Sequence, residues 1–84
     1  ILKLNIMDKI SFELQREMNS RPFGEFDVII TLMEGVNAES LNLKSYRVLM
    51  SDILAARLTA KEVQALAQNE GVEAIEPDAK VGIL

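Results

Sequence analysis

The spacing of apolar positions changes along this chain, and each change predicts a new element. Ile10, Leu14 and Met18 recur every fourth residue, which predicts a helix over Asp8–Asn19 with Asp8 as its N-cap. The turn formers Asn19-Ser20-Arg21-Pro22-Phe23-Gly24 end it. Phe26–Met33, FDVIITLM, is apolar and rich in β-branched residues, and reads as a strand buried on both faces and central in its sheet. Glu34-Gly35 closes that strand.

Between Val36 and Ser45 the pattern is weaker; Asn37 is placed to cap a short helix ending at Leu43. Tyr46–Met50 and Ile53–Leu58 read as two strands joined by a tight Ser51-Asp52 turn, hence as a hairpin. Thr59-Ala60-Lys61-Glu62 is a capping box, in which the threonine hydroxyl and the glutamate carboxylate satisfy each other's free amides. The helix it opens presents Val63, Leu66 and Ala67 on one face. Gly71 stands where a left-handed C′ residue is expected, and Val72–Glu76 is a last strand ended by Pro77.

Strand, short helix, strand, strand, helix, strand is the ferredoxin-like βαββαβ order. The expected fold class is therefore α+β: an antiparallel sheet with helices on one face, an extra N-terminal helix, and an extended C-terminal tail. The sheet's other face is left open, as a solvated or a docking surface. Residues 1–24 form the helical extension and turn, 25–78 the domain, and 79–84 the tail.

Composition narrows the function. An 84-residue chain supports one small core, and 49% apolar residues exclude disorder. A net charge of −4 argues against a nucleic-acid partner. Tyr46 is the only tyrosine, too few exposed aromatics for an RNA-stacking sheet. No apolar run is long enough to span a bilayer, so no membrane partner is expected. With neither cysteine nor histidine, the usual thiolate and imidazole metal ligands and the commonest general base are missing. No cofactor, metal or catalytic residue is expected. The chain starts at Ile1, the mark of a processed product or excised domain, with Met7 as an alternative start. Met7, Met18, Met33 and Met50 read as core filler.

Three stretches, DVIITLMEGV, ILAARLTAKEVQAL and the closing phrase GVEAIEPD, stand in an order and at a spacing that resemble the propeptides of subtilisin-like serine proteases. The resemblance runs from about Phe26 to Leu84. It implies a non-catalytic domain, secreted as part of a zymogen, that inhibits and helps to fold its protease. In that family the sheet packs on two surface helices of the enzyme and the tail lies in the substrate cleft. Glu76 and Asp78 match the acids that sit against the N-termini of those helices. Free amides and the positive end of the helix dipole favour a carboxylate there, by roughly 0.3–2 kcal/mol each. Val81, Gly82, Ile83 and Leu84 match the cleft-binding tail. Leu84 is expected in the primary specificity pocket and Val81 in a deeper apolar pocket, while Gly82 admits close backbone approach. Pro77 stands where the family commonly has an acid or a polar residue, and the helix after the first strand is shorter than usual. The N-terminal helix is expected to cover core that the short helix leaves bare.

Two other classes share the topology. A small-molecule regulatory module would use a glycine-containing loop after the first strand, here Glu34-Gly35-Val36-Asn37. An acylphosphatase-like enzyme would need an anion cradle with an arginine near that strand; Arg21 precedes it, without the surrounding glycines. A free-standing protease inhibitor remains open beside the propeptide.

Overall fold

The computed structural model describes residues 6–78. Its first element is a 3₁₀ turn, Ile6–Lys9, followed by helix α1, Phe12–Ser20. The N-cap is Ser11, whose hydroxyl accepts the Leu14 amide at 3.2 Å, and not Asp8. The reason for the later start is tertiary. Ile10 forms a parallel bridge with Ile75, and the Ser11 amide donates to the Ile75 carbonyl at 2.9 Å, which keeps this backbone extended. The helix begins as soon as that bridge ends. Leu14 and Met18 are buried, as their spacing predicts.

The remaining elements are strand β1 Glu25–Leu32, a 3₁₀ turn Ala38–Leu41, strands β2 Arg47–Met50 and β3 Ile53–Thr59, helix α2 Ala60–Ala67, and strand β4 Val72–Pro77. The strands form one sheet in the order β2-β3-β1-β4. Every pairing is antiparallel. This α+β arrangement is compatible with the ferredoxin-like fold. β1 is central, flanked by β3 and β4, in keeping with its β-branched sequence. Its two faces are unequal, however. Phe26, Val28, Ile30 and Leu32 are buried, whereas Asp27, Ile29 and Thr31 are half-buried.

The buried face meets both helices in one cluster that joins Ile10, Leu14 and Met18 to Phe26, Val28, Leu54, Val63 and Ile75. α1 therefore supplies core on the helical side of the sheet. The expected helix between β1 and β2 is reduced to the 3₁₀ turn; Asn37 does cap it, accepting the Glu39 amide at 3.0 Å. Asn42 ends it in the left-handed region, at φ 58°.

α2 opens with the predicted capping box, the Thr59 amide donating to the Glu62 carboxylate at 2.8 Å. Its end departs from the expectation for Gly71. Positive φ among the described residues occurs only at Asn42 and at Gly35, which turns the chain after β1. Gly71 answers a packing demand instead: a Cβ there would lie 3.0 Å from Val36 Cγ1. The methionines also divide. Met18 is buried, but Met33 and Met50 are 45% and 64% exposed, so neither fills the core.

Candidate functional site

Register decides what the open face of the sheet carries. Glu76 stands opposite Ile29, and Asp27 opposite Arg57, so these side chains share the face turned away from the helices. Asp78 lies one rung beyond Pro77, and its amide donates to the Asp27 carbonyl at 2.9 Å. The β1–β4 ladder thus continues to the last described residue. Glu76 is exposed and Asp78 half-buried. Two residues apart on one strand, they lie on the same face.

Because Asp78 points its amide toward β1, Pro77 turns its ring nitrogen outward, where no ladder bond is lost. The outer edge of β4 is otherwise met by Ile10 and Ser11. An edge strand bridged on one side and carrying a proline is poorly suited to accept a further strand there.

Charge on this face is mixed. Arg57 pairs with Glu25 at 3.3 Å in a solvent-exposed contact. A recess of about 270 Å³ lies beside Asp78, lined among others by Asp27, Tyr46, Arg47, Ala55 and Arg57. Sequence reasoning singled out Glu76 and Asp78, which share one face of the sheet, and passed over Asp27, Arg47 and Arg57, which line the recess with Asp78. The available signal was parity: Asp27 is out of step with the apolar Phe26, Val28 and Ile30 on the same strand. Val81, Gly82, Ile83 and Leu84 lie outside the described residues.

A second recess, of about 480 Å³, separates the Leu41–Ser45 segment from the first turns of α2. Its lining is mixed, with Leu43 and Leu66 beside the polar Glu25, Arg57, Thr59 and Glu62. Glu34-Gly35-Val36-Asn37 lines neither recess. Among the described residues no group of three or more acidic side chains is placed to hold a metal ion. No described helix is long and apolar enough to cross a membrane.

The model of the family described as peptidase inhibitor I9 matches residues 11–83, a span that takes in α1 as well as the whole sheet. No curated protein and no solved structure matches significantly.

Proposed function

The chain belongs to the peptidase inhibitor I9 family, the family of subtilisin propeptides, and from that premise we propose how it acts on a subtilisin-like serine protease. A domain of this family is a non-catalytic inhibitor. The open sheet face is the docking surface, with Glu76 and Asp78 set against helix N-termini of the enzyme. The tail, Val81-Gly82-Ile83-Leu84, runs from Asp78 into the substrate cleft, with Leu84 in the primary pocket and Val81 further out. The observation that carries this reading is the β1–β4 ladder, in register from the Thr31–Ala74 pair down to Asp78, with both acids on one face. Such a strand is a rigid launching point for an extended peptide.

Inhibition follows without any catalytic group on this chain. The tail occupies the cleft and so keeps other substrates out of it. Sheet and tail are covalently joined, which makes rebinding of either effectively intramolecular and slows departure. A surface that fits only the native enzyme also stabilises that state by mass action, which is the basis of assisted folding. In this reading the domain is made with its enzyme as part of a secreted zymogen. A free-standing inhibitor would use the same contacts.

The test is inhibition of a subtilisin-type protease by the chain and by a version lacking Val81–Leu84. Tight inhibition that collapses on truncation is the expected result. Equal inhibition by both would remove the tail from the cleft and leave the contact to the sheet, Glu76 and Asp78. A chain that inhibits no member of a panel of such proteases would overturn the reading.

A further inference from the structure

Three consecutive exposed apolar side chains, Val48, Leu49 and Met50, stand together on β2. β2 is an outer strand of the sheet, and among the described residues no strand pairs with its outer side. Native edge strands are commonly guarded by lysine or proline, because a free row of amides and carbonyls recruits another strand. Val48–Met50 carries neither. Its guards are its length, four residues in all, and a register shift against β3 between Val48 and Met50. The opposite edge of the sheet is closed: Ile10 and Ser11 meet β4 there, and β4 ends in Pro77.

Charge decides what fits the open edge. Residues 47–52 read Arg-Val-Leu-Met-Ser-Asp, basic at one end, acidic at the other and apolar between. The side chains of Arg47 and Asp52 form no ion pair with any described residue. Laid antiparallel against a copy of itself, this segment brings each arginine to the other's aspartate. We propose that β2 pairs with β2 of a second copy of the chain. In the register that matches the charges, Arg47 faces Asp52 of the second copy, Val48 faces Ser51, and Leu49 faces Met50. A slip of one residue sets Arg47 against Ser51 and loses the match. Asp52 stands in the turn to β3, and the long Arg47 side chain reaches it past the end of the ladder.

The two-fold axis makes every contact occur twice, so two ion pairs flank one apolar centre. It also closes the assembly. Each copy spends its open edge, and the closed β4 edge offers no third copy a place, so association stops at an eight-stranded dimer. The pairing goes beyond the inhibitory function and does not rest on it. β2 and β4 are opposite edges, which leaves Glu76 and Asp78 uncovered.

The test is sedimentation equilibrium of the full chain. A contact this small gives a weak dimer, with a Kd of about 0.1 mM. Arg47→Asp sets like charges against each other at both ends and raises Kd about tenfold. Asp52→Arg does the same, and a chain with both substitutions dimerises as the parent does. Met50→Lys places a cation at the centre of the edge and abolishes the dimer. Arg47 and Met50 are exposed, so their variants melt as the parent does at concentrations where all are monomeric. These two decide the matter should Asp52→Arg fail to fold. A parent chain that stays monomeric at about 1 mM overturns the proposal. So does a dimer indifferent to Met50→Lys or Arg47→Asp, or a folded double variant that does not recover. No protease enters these measurements, so their failure is distinct from failure of the function proposed above.

Discussion

Replacing Leu14 by alanine tests whether α1 is structural. Leu14 is fully buried, in contact with the cluster that spans both helices and the sheet. Truncation removes its apolar contacts and leaves a void that the surrounding strands close only in part, at a cost of about 2–5 kcal/mol. For a chain of 84 residues the whole stability is about 4–13 kcal/mol. The substitution therefore removes a large share of it. With an m-value of about 1–2 kcal/mol/M for a domain this small, the urea midpoint falls by roughly 1 M or more. Urea titration followed by circular dichroism reads this directly. Phe12→Ala is the internal control: Phe12 is on the same helix but 72% exposed, and its Arg16 contact at 5.8 Å is worth little. Its expected cost is below about 0.5 kcal/mol. A Leu14→Ala protein within about 0.5 kcal/mol of the parent would show that α1 contributes no core and would sink the account given of it.

Thr59→Ala removes the acceptor for the Glu62 amide and costs about 0.5–2 kcal/mol, measured as a lowered urea midpoint. Gly71→Ala, which places a Cβ 3.0 Å from Val36, costs about 1–3 kcal/mol in the same assay; Val36→Ala in the same chain recovers part of that loss if the clash is the cause. Glu25→Gln breaks the Arg57 pair, but both side chains are mostly exposed, at 65% and 59%, so thermal unfolding shifts by no more than about 0.5 kcal/mol equivalent.

What could be read from the sequence was what is local. The Thr59–Glu62 box depends on residues three apart and was legible in full. So were the central strand and the Ser51-Asp52 turn, because β-branched runs and tight turns are encoded by their own residues. The Asp8 cap failed because a distant residue, Ile75, holds Ile10 extended and moves the start of the helix to Ser11. Gly71 failed for a related reason: the neighbour that demands a glycine is Val36, far away in the sequence. The candidate site divides in the same way. Glu76 and Asp78 were singled out through a local phrase, whereas Asp27 and Arg57 come to the same sheet face only through strand register, which no single segment states.

The register of β1 has a kinetic consequence. Val28 is paired on one side with Ala56 and on the other with Pro77. The strand that forms the middle of the sheet is among the first parts of the described chain to be synthesised, and its last partner is among the final ones. Until β4 arrives, β1 is an unprotected edge and the core has no Ile75. Contacts so distant in sequence make the folding barrier largely entropic, and folding correspondingly slow. The late strand is also the one that bears Glu76. On the function proposed above, no partly folded chain carries a finished docking face, and the capacity to bind arises in the same event that closes the sheet.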